Sequence, residues 1–303
     1  MAISRAQLVK ELEPGLNALF GLEYRRYDNE SSEIYATESS DRAFEEEVML
    51  SGFANADVKA EGQGVSFDEA QETFTARYTH ETVALAFAIT EEAMEDNLYD
   101  RISSRYTKAL ARSMANAKQV KGAAPLNNGL PAIATFKTGD GVSLINASHP
   151  TIAGTFSNTL STAADLNETS LEQAMIDIAA FTDERGLRIA AQGKKMIIPS
   201  ALQFTAERLL KSPGRVGTAD NDINALKNMG MIPQGYRVNH FVTDTDAWYI
   251  ITDIPNGMKY FDRAPLKTAM EGDFDTGNVR YKARERYSFG CSDPRGIYAS
   301  PGA

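Results

Sequence analysis

The chain has 303 residues, 43% of them hydrophobic, and a formal net charge of −10. This composition is typical of a globular protein with enough apolar residues for one large core or two smaller ones. The negative balance argues against a protein that holds nucleic-acid phosphates with basic side chains. The single cysteine, Cys291, excludes an internal disulfide and fits a reducing compartment, and no apolar run approaches the roughly 20 residues that span a bilayer.

The acidity is concentrated in one segment, residues 28–72. This segment holds thirteen acidic side chains against Arg42 and Lys59, a formal charge of −11, which leaves the rest of the chain at +1. A run of like charge usually marks a solvated surface segment. The second interpretation is an arm that lies on a basic surface.

The first elements are predicted as an arm and a hairpin. Residues 1–27 show a weak helical pattern that we expect to break at Pro14. Residues 47–53 are predicted as a short strand, and Gly62-Gln63-Gly64 as a turn with an extended run after it. Because a two-stranded hairpin is marginally stable alone, we expect this long acidic hairpin to need a partner surface.

A strand and a long helix come next. Residues 74–80 alternate as a half-buried strand does, and residues 83–89 continue in the opposite register, which indicates a bend near Glu81-Thr82. Thr90 and Gly122 are predicted to begin and end a helix of roughly 45 Å. Its apolar stripe comprises Met94, Leu98, Ile102, Tyr106, Leu110, Met114 and Ala117, and we expect Leu98, Ile102, Leu110 and Met114 to be buried.

The second half of the chain alternates helices and strands, which predicts a compact α/β unit. Thr169 and Glu172 form a predicted capping box, and Asp244-Thr245-Asp246 is the predicted turn of a hairpin between residues 236–242 and 248–252. The closing strand, residues 279–289, has one mostly apolar face. Its other face is basic and carries Arg280, Lys282, Arg284 and Arg286.

No group of residues predicts catalysis. Asp275-Thr276-Gly277 is the tripeptide of aspartic proteases, but those enzymes need two copies and this chain has one, so a turn is the better interpretation. Asp244 and Asp246 are residues that turns use. The isolated histidines and Cys291 lack partners at ligand or base spacing. We therefore predict no catalytic, cofactor or metal site, and a hydrolase using Asp244, His240 or Asp275 stays an alternative.

The order of elements and several local stretches resemble the major capsid (head) proteins of tailed bacteriophages. The resemblance spans essentially the whole chain, and its motifs are distinctive in combination only. The similar stretches are Ala88-Ile89-Thr90-Glu91-Glu92, Tyr106-Thr107-Lys108-Ala109-Leu110-Ala111-Arg112-Ser113, Leu126-Asn127-Asn128-Gly129, Glu271-Gly272-Asp273-Phe274, Arg284-Glu285-Arg286-Tyr287-Ser288-Phe289-Gly290 and Asp293-Pro294-Arg295-Gly296.

The resemblance implies an α+β fold of the Hong Kong type. It also implies a subunit without enzymatic activity that assembles as hexamers and pentamers into an icosahedral head around double-stranded DNA, without sequence-specific binding. The implied divisions are an N-terminal arm at 1–28, an extended loop at 29–76, a peripheral domain with a spine helix at 77–125, an axial domain at 126–261 and a peripheral return at 262–303.

Further expectations follow from the same resemblance. The partners would be a separate scaffolding protein, a portal and decoration proteins, with assembly in the host bacterial cytoplasm, a final place in the virion and no membrane. An encapsulin-like compartment shell is the alternative with the same fold. Some relatives crosslink a loop lysine to a neighbour's asparagine. In this chain Lys59 would correspond to that lysine and Asn278 to that asparagine. The reaction also needs a buried carboxylate, and the sequence does not show one, so no crosslink is predicted.

Charge complementarity leads to the predicted contacts between subunits. The acidic segment, residues 28–72, is expected to meet basic residues of the helix and closing strand of a neighbour. The predicted contact residues are Lys59, Glu61, Asp68, Glu69, Arg101, Arg105, Arg112, Arg280, Lys282, Arg284 and Arg286.

Overall fold

The computed structural model describes residues 5–90, 92, 99–215, 222–273 and 277–303. The helices are α1 (Arg5–Arg25), α2 (Tyr99–Asn128), α3 (Glu168–Ala179), α4 (Gln203–Lys211) and α5 (Ala225–Asn228). The strands are β1 (Ala36–Ser39), β2 (Phe44–Leu50), β3 (Glu72–Thr79), β4 (Glu81–Ile89), β5 (His149–Thr151), β6 (Gly154–Phe156), β7 (Gly193–Ile198), β8 (Tyr236–Val238), β9 (Trp248–Thr252), β10 (Met258–Gly272), β11 (Val279–Cys291) and β12 (Ile297–Ser300).

The long-strand sheet has the order β1-β10-β11-β4. β10 and β11 form an antiparallel ladder, β4 pairs antiparallel with β11, and β1 pairs parallel with β10. One face of this sheet packs on α2 and α1. Leu110 and Met114 of α2, Phe20 of α1 and Tyr281 and Ala283 of β11 share one buried cluster there.

The short-strand sheet has the order β12-β9-β7-β8. Trp248 and Ile250 of β9 pack against Leu171 and Ile178 of α3 in its main core. A second buried cluster joins the two sheets, because Tyr249 of β9 and Tyr287 of β11 both belong to it. The mixed α+β class predicted from the sequence is therefore observed, with helices against both sheets.

Three predicted element boundaries differ from the structure. α1 runs through Pro14 without ending. Leu16 and Phe20 are buried beyond that point, so packing on α2 outweighs the lost hydrogen bond of the proline. The capping box of α3 is formed by Asn167 and Ser170 and not by Thr169 and Glu172.

Gly122 does not end the long helix, which continues to Asn128. A Cβ atom on Gly122 would lie 2.6 Å from Cβ of Ser31, and the hydroxyl of Tyr35 donates to the Gly122 carbonyl at 2.7 Å. The glycine therefore permits close approach of residues 31–35, a role that a helix-end pattern cannot reveal. Thr90, the predicted start of the helix, is described, but residues 91 and 93–98 after it lie outside the described ranges, so the start stays a prediction.

The predicted hairpin around Asp244-Thr245-Asp246 is wrong. β7 lies between β8 and β9, pairing parallel with β8 and antiparallel with β9. Two strands that are close in sequence thus flank a third strand, which local turn residues cannot predict. The division at residues 126–261 and 262–303 stays a prediction, although β12 pairs with β9 of the short-strand sheet.

Candidate assembly surface

The acidic segment forms a hairpin whose far end has no core of its own. β2 and β3 pair antiparallel from Phe44 opposite Thr79 to Leu50 opposite Glu72. Residues 51–71, here called the acidic loop, contain no helix or strand. Every residue from Phe53 to Glu72 is exposed, including the turn at Glu61-Gly62. The paired part of the hairpin is therefore shorter than predicted, and its continuation forms neither helix nor strand.

Large apolar side chains of the acidic loop lie in solvent. Val58 is 100% exposed and Phe67 is 98% exposed. Scattered exposed apolar residues are ordinary, but a concentration of them on a loop without a core is typical of a contact surface. The remaining members of this set are Phe53 and Val65.

The base of the acidic loop is fixed to its own chain. Oδ2 of Asp68 accepts from the Ala54 amide at 2.7 Å, which joins the two arms of the loop. Nη2 of Arg185 donates to the Glu69 carbonyl at 2.6 Å. Backbone hydrogen bonds from Ala54 and Glu69 lower the pKa of Asp68. The predicted contact residues Asp68 and Glu69 thus have partners within the subunit.

Other acidic residues of the segment are also paired internally. Nζ of Lys259 lies 2.9 Å from Glu38 and 2.5 Å from Glu47. Nζ of Lys195 lies 2.7 Å from Glu33. Near the tip of the loop, Asp57, Lys59 and Glu61 are all exposed.

The basic face of the closing strand is present as predicted. In β11, Arg280, Lys282 and Arg284 are exposed, Arg286 is half-buried, and buried residues alternate with them. Because Tyr281 and Ala283 point towards α2, these four basic side chains, here called the basic row, point to the opposite face of the sheet.

Small residues border the basic row. Opposite Arg280, Lys282 and Arg284 in β4 stand Ala88, Ala86 and Ala84. Arg280 forms an ion pair with Asp273. For Lys282 and Arg284 no ion pair occurs within the part of the chain that the structure describes. Two cations on an open sheet face are therefore available to a partner.

The basic residues of the helix are on a different surface. Arg105 and Arg112 of α2 are exposed, and Arg112 lines a groove beside Glu23 and Tyr27 at the end of α1. Since α2 covers the face of the sheet opposite the basic row, the structure does not bring the two basic sets together. The side chain of Arg101 lies outside the described residues.

Two residues of the hydrolase alternative, Asp244 and His240, make structural contacts within the chain. Oδ1 of Asp244 accepts from the amides of Asp246 and Ala247 within a turn. Nδ1 of His240 lies 2.6 Å from Glu30 on the surface. Asp275 lies outside the described residues. Cys291 is buried, and burial raises the pKa of its thiol.

The described ranges contain no group of three or more His, Cys, Asp or Glu residues that could hold a metal ion. A second histidine–carboxylate pair is His149 and Asp140, 2.6 Å apart. Burial disfavours the charge on Asp140, but hydrogen bonds with His149 and Thr138 outweigh this and lower its pKa. Because His149 is fully buried, the pair stabilises the chain between α2 and β6 and does not face a substrate.

Two buried ionic centres were missed by the sequence analysis. Glu285 is buried on the apolar face of β11, lies 3.6 Å from Lys118 of α2 and accepts from the hydroxyl of Tyr24 of α1 at 3.3 Å. Burial raises the pKa of Glu285. A carboxylate on the apolar side of an alternating strand was the sequence signal for this centre.

The second centre is formed by Arg295. Its Nη2 lies 2.5 Å from Glu184, its Nη1 lies 3.3 Å from Asp293, and its Nε donates to the Thr182 carbonyl at 2.8 Å. Burial raises the pKa of Asp293. The centre connects residues 182–184 with the turn at Pro294–Gly296 and has no counterpart in the sequence patterns.

Comparison with known proteins identifies the family. A family model described as phage capsid protein matches residues 72–300. No curated protein sequence matches the chain. No described helix has the combination of length and apolar character needed to cross a membrane.

Solved structures of shells have the same fold. The capsid of an empty GTA particle has 13% identity and a TM-score of 0.59, with 91% of each chain covered. The capsid of Myoviridae phage XM1 has 10% identity and a TM-score of 0.55, with 89% of each chain covered. A virus-like particle from Pyrococcus furiosus has 10% identity and a TM-score of 0.53, with 95% of this chain and 98% of that chain covered.

Proposed function

The chain belongs to the phage capsid protein family and is a capsid shell protein, and from this premise we propose that it builds an icosahedral head from hexamers and pentamers of itself. The family match over residues 72–300 carries this proposal. The enclosed cargo is double-stranded DNA. A chain with a net charge of −10 fits a container that holds DNA without binding it strongly.

The family match favours a phage head over an encapsulin-like compartment. The likeness to the virus-like particle concerns the fold alone at 10% identity. We propose a structural role without catalysis, a place in the virion after assembly in the host cytoplasm, and a separate scaffolding protein, a portal and decoration proteins as partners. Arg295, Glu285 and Asp244 then serve the stability of the subunit, which fits their contacts within the chain.

We also propose a structural role for each segment of the chain. Residues 1–28 act as an arm and 29–76 as the extended loop. Residues 77–125 and 262–303 form the peripheral domain, in which α2 is the spine helix, and residues 126–261 form the axial domain around capsomer axes. The packing of α2 on β11 through Leu110, Met114 and Tyr281 supports a rigid peripheral unit.

The contacts between subunits are proposed to join the acidic loop of one copy to basic residues of another. Exposed Glu61 and the uncovered Lys282 and Arg284 support this pairing, as do the exposed apolar side chains of Val58 and Phe67. Charge complementarity would set the register of neighbours more than it would add affinity. The remaining proposed contact residues are Lys59, Asp68, Glu69, Arg101, Arg105, Arg112, Arg280 and Arg286.

Negative-stain electron microscopy of the purified chain tests this function. We expect closed shells of uniform size under conditions that favour assembly, with or without an added scaffolding protein. A monodisperse monomer under all assembly conditions would contradict the proposal. Loss of a measured hydrolytic turnover in an Asp275→Ala variant would instead support the hydrolase alternative.

A further inference from the structure

β4 is an open edge of the long-strand sheet. It pairs with β11 along one side from Glu81 to Ile89, and within the described residues no strand pairs with its other side. The unpaired N–H and C=O groups of such an edge can accept another strand.

β4 lacks the features that usually protect an edge. From Thr82 to Ile89 it has neither a charged residue nor a proline, and its ladder with β11 is continuous. The free edges of β1, β8 and β12 belong to strands of four, three and four residues. A nine-residue edge whose one charged residue, Glu81, stands at its first position is therefore expected to be covered in the functional state.

The exposure of the β4 side chains also indicates that the isolated subunit lacks a strand beside this edge. Leu85 points to the α2 side of the sheet, as Val83 and Phe87 do, yet it is 46% exposed. On the opposite face Ala84, Ala86 and Ala88 are all exposed. One further strand would cover both faces of this edge.

The acidic loop contains a segment with the pattern of the missing strand. Ala54, Ala56, Val58 and Ala60 alternate with Asn55, Asp57, Lys59 and Glu61. Such a period of two is typical of a half-buried strand. In the subunit this segment has no strand partner among the described residues and is exposed throughout.

The segment 54–61 and the surface around the β4 edge are chemically complementary. A segment beside β4 could place its apolar residues next to Leu85, and Asp57, Lys59 and Glu61 on the other face, which then carries two negative charges and one positive charge. That face carries the basic row one strand further in, where only alanines of β4 stand between. Adjacent strands lie about 4.7–4.9 Å apart, so an arginine or lysine side chain can span the intervening strand.

We propose that residues 54–61 of one copy add as a strand to the free edge of β4 in a second copy. This inference rests on the proposed shell assembly and specifies its contact as main-chain strand addition, with side-chain alternation determining which face of the segment meets the basic row.

Disulfide trapping tests the pairing and its faces together. Because Cys291 is buried, the disulfides that form on oxidation are expected to join only the introduced cysteines. Val58→Cys is combined with Val83→Cys, Leu85→Cys or Phe87→Cys on the α2 side, and separately with Ala84→Cys, Ala86→Cys or Ala88→Cys on the basic side. Asp57→Cys is combined with the same six positions. Shells are assembled in reductant, checked by negative stain and then oxidised with diamide.

We expect disulfide-linked dimers or longer ladders from Val58→Cys with a partner on the α2 side, and from Asp57→Cys with a partner on the basic side. The crossed combinations should remain monomeric on a denaturing gel. Shells without any crosslink, or crosslinks without preference for a face, would overturn the inference and leave the proposed function intact. Absence of shells from the wild-type chain would overturn both.

Proline pairs give a second measurement that does not depend on cysteines. Ala56→Pro with Val58→Pro removes two amides of one parity, and Asn55→Pro with Asp57→Pro removes two of the other. Only one parity of a bound edge strand donates to its neighbour, so one pair should lower the shell yield by about tenfold or more and the other should be tolerated. Equal yields, or equal losses, would contradict strand addition.

Discussion

The buried centre around Arg295 and the acidic loop both contain several carboxylates, but those of the first are paired with a buried cation and those of the second are exposed. Glu184 and Asp293 both form ion pairs with the buried guanidinium of Arg295. Glu61 and the apolar side chain of Val58 lie in solvent. The contacts of the first region are complete within one subunit, whereas we propose that another copy covers the second. Changes in the first should therefore alter folding, and changes in the second should alter assembly.

The largest effect is expected at Arg295. Arg295→Met would leave Glu184 and Asp293 buried without their cation, and breaking a buried ion pair costs about 3–5 kcal/mol. Urea unfolding of the unassembled subunit measures this loss. Arg188, which is exposed nearby, provides the control, because Arg188→Met should change stability by less than about 0.5 kcal/mol. Equal effects of the two variants would contradict the described centre.

The next effect concerns the helix–sheet core. Leu110 is 4% exposed, and Leu110→Ala should lower the free energy of unfolding by about 2–5 kcal/mol, since it removes buried methyl groups and leaves a cavity. Val120→Ala on the same helix is the control, because Val120 is 50% exposed. The same urea experiment compares them, and a loss below that of Val120→Ala would show that the stripe was assigned wrongly.

A smaller effect for each contact is expected at the basic row. Reversal of Arg284 and Arg286 to Glu should block assembly and leave the subunit folded. Each exposed pair contributes only about 0–1 kcal/mol, so the effect arises from repetition over many subunits. Assembly of the wild type should also weaken in 1 M salt, where the Debye length is about 3 Å.

Light scattering of assembly, with circular dichroism of the subunit, measures both outcomes. The control is a variant with Lys137 and Lys194 reversed to Glu, which changes the charge equally at exposed positions outside the basic row. Normal assembly of the Arg284 and Arg286 variant would refute the electrostatic part of the proposal. A block in both variants would assign the effect to total charge instead.

The same contrast explains what the sequence could predict. The alternation of β11 and the burial of Leu110 and Met114 were predicted correctly, because a periodic pattern directly reports one buried face. The helix end at Gly122 and the hairpin across Asp244 were wrong, because close approach of Ser31 and insertion of β7 depend on distant parts of the chain.

The candidate site was predictable only in part. The composition identified the acidic segment and the basic row, both of which depend on local sequence. The internal partners of Asp68 and Glu69 and the separation of Arg112 from the basic row depend on tertiary structure. The division of each charge between subunit and neighbour therefore could not be obtained from charge counts.

The smallest effect is expected at the tie between Asp68 and Ala54, which lies where the two regions meet. Hydrogen bonds from Ala54 and Glu69 lower the pKa of Asp68 below its ordinary value of 3.8. A carboxylate whose pKa is lower in the folded state contributes stability above the unfolded pKa and loses it as the pH falls through the folded pKa.

Hydrogen exchange of unassembled subunits, measured on peptides that cover residues 51–60, reports whether the hydrogen bond between Asp68 and Ala54 holds the base of the loop. In the wild type, protection relative to Asp68→Asn should be present at pH 6 and should be lost as the pH falls through the lowered pKa of Asp68. Glu61→Gln is the matched control, since Glu61 is exposed in the same loop, and it should follow the wild type at both pH values. Identical exchange of the wild type and Asp68→Asn at pH 6 would show that the base of the loop is not held by this carboxylate.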